Sequence, residues 1–189
     1  MAHTDVCVIS QGMECLILDN IPFSGRIEKM DSVLASFAAS SFSFNLNKYF
    51  EEVTLPKPIA FDSRIIPISK EEIPNYFKWR QDEAWRNCVN SYGITFLKSK
   101  YSTEEANERI KGLKYSDIHD MLFENGINLN DVDSYRKRGI AIYKKEKEIK
   151  GYNQKEDKEV TSYRSYIFKD YDIPIFTKDF FIELNLIEG

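Results

Sequence analysis

The sequence predicts an α+β protein in which long helices back a mainly antiparallel sheet, and three observations carry that prediction. Two short β-prone runs, Val6-Cys7-Val8-Ile9 and Cys15-Leu16-Ile17-Leu18, flank Ser10-Gln11-Gly12-Met13-Glu14, which has the glycine of a tight hairpin turn. Two long stretches repeat apolar residues at helical spacing. Late in the chain, Ile140-Ala141-Ile142-Tyr143 and residues 160–168 form a second β-prone pair on either side of a charged segment, residues 144–159.

The first hairpin is continuously apolar rather than alternating, which implies that both of its faces are covered. After Pro22 and Gly25, the residues Ile27, Met30, Val33, Leu34, Phe37, Ala38 and Ser41 share one helical face, and the Ala- and Ser-rich middle of that helix has too little bulk to keep a sheet at a distance. Pro56 and Pro58 break any helix there, and residues 59–66 are predicted as a third strand. Ser69 with Glu72 is a capping-box pair leading into a central helix. Along that helix Ile73, Phe77, Ala84, Cys88, Tyr92 and Phe96 recur at spacings of three, four and seven. Ser102 with Glu105 repeats the capping signature, Gly112 closes that short helix, and another runs from Ser116 to Gly126. The tail, residues 175–187, is rich in Phe and Ile and reads as strand or short helix.

A chain of 189 residues, 42% hydrophobic, is long enough for one domain with its own core. The expected parts are 5–68, 69–138 and 139–189 within a single body. No apolar run is long enough to span a membrane, and no basic-then-apolar leader opens the sequence, so a cytoplasmic location is expected. The cysteines, Cys7, Cys15 and Cys88, form no CxxC pair and are expected as reduced thiols rather than as a disulfide or zinc set. A net charge of -4 gives no general basic field for nucleic acid, but basic residues predominate locally between Arg136 and Lys158. That run suits either a solvated hairpin or an anionic partner.

The string YFKWRQDEAWRN in the central helix resembles that of the tRNA-His guanylyltransferase family, whose members add a nucleotide to the 5′ end of a tRNA. Further matches follow in order. Pro22-Phe23-Ser24-Gly25-Arg26-Ile27-Glu28-Lys29 with the helix after it is similar to the family's phosphate-contacting helix, Phe61-Asp62-Ser63-Arg64 to its FDAR-like strand, and Gly126-Ile127-Asn128 to its GIN turn. Tyr135-Arg136-Lys137-Arg138-Gly139 resembles the basic step before a late strand, and no family pattern is assigned beyond Tyr143. The resemblance implies a polymerase-like palm and GTP or ATP as substrate. Arg26, Lys29 and Ser32 match the nucleotide-binding positions. Their chemistry suits phosphate oxygens, although the same three polar residues also suit a half-exposed helix. Asn87 matches a polar position of the central motif, and Arg136, Lys137 and Arg138 are candidate RNA contacts.

The hairpin turn departs from the family. The family's turn reads Gln-Ser-Asp-Glu, and its Asp joins another Asp from an earlier strand in holding two magnesium ions. Here Gln11-Gly12-Met13-Glu14 puts Met13 at the metal-binding position and leaves Glu14 as the candidate catalytic and metal-binding acid. A thioether is a soft ligand, whereas magnesium takes hard oxygen donors. The family's leading strand, with its Asp-Gly-Arg motif, has no counterpart before Val6, so the expected architecture is a palm missing its first strand, with a small helical extension. Magnesium is then expected only if a partner completes the site. Three functions stay open: a nucleotidyltransferase completed by a partner and acting on tRNA or another RNA 5′ end, a catalytically silent nucleotide- or RNA-binding protein, and a structural assembly subunit. A sheet short of a strand exposes an edge and an apolar face, which predicts a homo-oligomer or a heterocomplex unless residues 175–187 fold over the gap.

Overall fold

A computed structural model describes residues 6–10, 13–18, 20–51, 53–155 and 157–188 of the chain. The chain divides into two compact units, residues 1–18 with 70–189 and residues 19–69. This division differs from the three consecutive parts expected, because the first and last strands share one sheet.

In the larger unit that sheet has four antiparallel strands, β1 (Val6–Ser10), β2 (Met13–Ile17), β3 (Ile140–Asn153) and β4 (Lys158–Asp170), in the order β2-β1-β3-β4. The hairpin is tighter than the sequence suggested. Ser10 pairs with Met13 and Ile9 with Glu14, so Met13 and Glu14 are strand residues rather than turn residues. The turn itself, Gln11-Gly12, lies outside the described residues.

The late pair was under-read. β1 reaches only Ile140 to Tyr143 of β3, yet β3 and β4 stay paired from Ala141↔Asp170 out to Asn153↔Lys158. The charged segment expected as a connection is therefore a two-stranded ribbon running past the sheet. Charge did not prevent pairing because nearly all the side chains described there are exposed, with only Ile149 and Val160 half-buried, so the charges stay in water.

The central helix α2 (Ile73–Lys98) starts after a short turn, Lys70–Glu72, with Glu72 rather than Ser69 at its N-cap. Pro74 does not divide it. In the first turn a proline's missing N–H has no helical acceptor to lose. Ile73 and Phe77 of α2 pack with Val8, Ala141 and Tyr143 of the sheet and with Ile173, Phe176, Phe180, Phe181, Leu186 and Ile187 of the tail in one core. The tail is helical at α6 (Lys178–Glu183). It covers one face of the first hairpin, where Val8, Cys15 and Ile17 pack in that core, while Leu16 on the other face stays 44% exposed.

The far end of α2 carries the helical extension. It consists of α3 (Thr103–Ile110), with the predicted Ser102/Glu105 capping box, α4 (Tyr115–Glu124) and the short α5 (Ser134–Arg138). Val89, Ile118, Leu122 and Leu129 form a second core there, flanked by Trp85, Tyr92 and Phe96.

The smaller unit is built on α1 (Ile27–Tyr49). Residues 59–66 alternate between partly buried and exposed, but they join no sheet among the described residues, which corrects the third strand. Their partner is α1: Phe61 packs on Phe42 at 6.2 Å between ring centroids, and the Ser63 hydroxyl donates to Asp31 at 3.2 Å. The small side chains of α1 also make room for a proline-containing segment. Ser36, Ala39, Ser40 and Ser43 line one wall of a groove of about 680 Å³, and residues 55–59 line the other.

Candidate functional site

The candidate residues fall into two sets, one in each unit. In the smaller unit, Arg26 is the N-cap of α1, and Lys29 and Ser32 follow on its first two turns, all exposed. Arg26 and Lys29 stand three apart and so lie near one another on the helix surface. The Ser32 hydroxyl donates to the Lys29 carbonyl at 3.1 Å and retains its acceptor capacity. Lys29 Nζ sits 4.8 Å from the centroid of the Phe23 ring. No side chain caps this helix, so its first N–H groups lack a side-chain acceptor, and the positive end of its dipole lies beside two cations.

The approach to α1 is strained. Phe23 and Ser24 have φ of 55° each, and Gly25 follows at 76°. Left-handed backbone at a non-glycine residue costs about 1–3 kcal/mol and collects at ligand sites. Only Gly25 adopts it without penalty. Within this unit, therefore, the structure brings Arg26, Lys29 and Ser32 onto one helix start, as the sequence suggested.

In the larger unit, Asn87 is exposed on α2, one residue before the fully buried Cys88, whose thiol pKa is raised by burial. The basic trio of α5 is less available than its sequence implied. Lys137 Nζ donates to the Asn130 carbonyl at 2.9 Å, and Arg138 donates to the Ile173 carbonyl at 3.2 Å, so both tie down neighbouring backbone. Arg136 is exposed and donates to the Tyr135 hydroxyl at 3.1 Å, and that bond is the largest cause of its raised pKa. Glu14 and Met13 are placed by backbone register alone, on β2 opposite Ile9 and Ser10.

A magnesium pair does not fit the donors in view. Among the described residues no three His, Cys, Asp or Glu side chains cluster as a metal site, and Met13 brings a soft sulfur to the position that the family resemblance assigns to a hard carboxylate.

Comparison with known families decides what this scaffold belongs to. A family model described as tRNAHis guanylyltransferase matches residues 7–69, and one described as Thg1 C terminal domain matches residues 71–173. The chain belongs to the tRNA-His guanylyltransferase family. The second match runs 30 residues past Tyr143, where the sequence reading had stopped assigning family pattern, and so takes in the ribbon.

Among curated relatives, a probable tRNA(His) guanylyltransferase of Dictyostelium discoideum is 32% identical over 65% of this chain and 50% of its own length. One from Bos taurus is 34% identical over 67% of this chain and 44% of its own. The chain thus spans about half the length of the curated relatives it matches. Among solved structures, a bacterial tRNA(HIS) guanylyltransferase (Thg1)-like protein in complex with ATP covers 98% of this chain and 72% of its own, with a TM-score of 0.68 at 23% identity. A GTP complex of a protein so described has a TM-score of 0.60 at 26% identity, over 97% of this chain and 69% of its own. Among the described residues, no helix is long and apolar enough to cross a membrane.

What the sequence missed is on the ribbon. Lys145-Glu146-Lys147-Glu148 looks like mixed charge in a loop, but in a strand the period of two separates the lysines from the glutamates.

Proposed function

We propose that the chain binds a nucleoside triphosphate, GTP or ATP, at the start of α1 and associates with the 5′ end of a tRNA or a related RNA, without adding the nucleotide by itself. The observation that carries the binding half is the exposed pair Arg26 and Lys29 beside the uncapped N-terminus of α1. Backbone N–H groups, a guanidinium fork and an ammonium suit phosphate oxygens, and Ser32 adds a hydroxyl. The nucleotides bound in the structural relatives agree with this choice of ligand.

The silent half rests on Met13. Phosphoryl transfer through two metal ions needs anionic oxygens that hold the pair and offset its charge, and Glu14 alone is too small a donor set. Addition then depends on carboxylates supplied by other residues, such as those of a partner chain or a second copy.

Two measurements test the proposal. Calorimetry should detect GTP binding that weakens in Lys29→Ala, and identical titrations for wild type and variant would show that these residues are only surface. The purified chain, given magnesium, labelled GTP and a 5′-phosphorylated histidine tRNA, should not extend it. Turnover that Glu14→Gln abolishes would overturn the silent half.

A further inference from the structure

The turn that leads into α1 holds an aromatic ring that burial does not explain. Phe23 belongs to neither hydrophobic core and stays 37% exposed. Its backbone is left-handed, with φ 55° and ψ 29°, and it opens a run of three such residues with Ser24 and Gly25. A bulky side chain is rare in that conformation, and glycine or asparagine takes it at less cost.

What the ring meets is a cation. Lys29 Nζ lies over it, 4.8 Å from its centroid, and Arg26 stands at the N-cap three residues before Lys29. Among the described residues neither cation makes an ion pair. An exposed cation–ring contact is worth less than left-handed backbone at a non-glycine residue costs, so that contact alone does not account for the ring.

We propose that Phe23 is the platform on which the base of the bound triphosphate stacks, with Lys29 leaving the ring for a phosphate as the base arrives. The presence of a nucleotide here rests on the proposed function above. An ammonium holds a phosphate oxygen at about 2.7–2.9 Å, so a phosphate on Lys29 Nζ lies within about 8 Å of the ring centre. One ribose spans that gap between the α-phosphate and the base. The outer phosphates are then left to Arg26 and the uncapped first N–H groups of α1. A phenyl ring has no hydrogen-bonding group, so it reads the area of a base and not its edge. Every base has a π-face, and the fused rings of a purine overlap a phenyl ring more than a pyrimidine does. The platform therefore selects purine over pyrimidine triphosphates and treats guanine and adenine alike.

The test is calorimetry on the full chain with inorganic triphosphate, GTP, ATP and CTP. The wild type should bind GTP and ATP with similar affinity, and CTP and inorganic triphosphate more weakly. Phe23→Leu keeps an apolar side chain in the turn but removes the stacking face. It should weaken GTP and ATP binding about ten- to a hundred-fold, to the level of inorganic triphosphate, and leave inorganic triphosphate itself unchanged. Phe23→Trp should keep the purine preference, and its added fluorescence should be quenched by GTP but not by inorganic triphosphate. The tryptophan variant decides alone if the leucine variant does not fold. Equal affinities for CTP and GTP, unchanged GTP binding in Phe23→Leu, a parallel loss of inorganic triphosphate there, or no quenching in Phe23→Trp would each overturn the platform. Triphosphate binding without a preference among bases sinks the platform and spares the α1 site, whereas failure to bind inorganic triphosphate and GTP alike sinks both.

Discussion

Gln81 pins Phe176 by its backbone. From the buried middle of α2, its side-chain Oε1 accepts the Phe176 N–H at 3.0 Å, while Nε2 donates to the Pro174 carbonyl at 3.0 Å. This is how a helix with few apolar residues per turn still fixes the tail, whose aromatic rings then close the core.

Replacing Gln81 with Leu keeps the bulk but leaves the buried Phe176 N–H without an acceptor. Stability should fall by about 1–3 kcal/mol, read as a lower urea midpoint at constant slope. An unchanged midpoint would mean that water or a shifted tail takes over the bond.

Gly93 is where α2 and α4 touch. A methyl group built on it would overlap Ile118 and sit 3.2 Å from Ile110 Cδ1. Alanine is normally better than glycine in a helix by about 1 kcal/mol, but Ile118 is β-branched, in a helix, and cannot swing away. Gly93→Ala should therefore lower stability by about 1–3 kcal/mol despite its better propensity. Combining it with Ile118→Val should recover part of the loss.

The hydroxyl of Tyr143 donates to Asp170 at 3.1 Å from inside the core, and burial first, then that bond, push its pKa up to about 12. An unfolded tyrosine ionises near 10. Because the folded state holds this proton more tightly, its contribution is full below pH 10 and is lost as pH rises toward 12. Chemical denaturation across that window should show wild type losing up to about 2–3 kcal/mol more than Tyr143→Phe. Parallel curves would place the ionisation elsewhere.

Phe181 is fully buried, with its ring centroid 5.6 Å from that of Phe77 and 5.5 Å from that of Phe176. Phe181→Ala should cost about 3–5 kcal/mol, whereas Phe123→Ala on the exposed side of α4 should change little. Similar losses at both sites would mean that the tail does not close the core.

Much of this fold was legible from spacing. The periodic residues Ile73, Phe77, Ala84 and Cys88 are all buried, and the Ser102/Glu105 cap forms as the local sequence required. Two readings failed for a shared reason. Residues 59–66 have the alternation of a strand and β3 has the charge of a loop, but a strand is defined by its neighbours, and a single segment does not name them. The α1 cluster was readable because Arg26, Lys29 and Ser32 are close in sequence. The juxtaposition of Lys147 with Arg164 needed the register, and the engagement of Lys137 and Arg138 with carbonyls needed the tertiary structure.

The tail's place in the core also sets an order of events in the cell. Ile173 follows Val8 by 165 residues, yet the two belong to the same cluster. At a synthesis rate of about 5–20 residues per second, roughly ten seconds or more separate the appearance of the β1–β2 hairpin from that of the segment that shields it. Through that interval the nascent chain offers an unshielded apolar hairpin to whatever is nearby, and contacts so remote in sequence close slowly even afterwards. Yield in the cell should thus depend more on chaperone supply and on the pace of translation than the equilibrium stability of the finished protein would suggest.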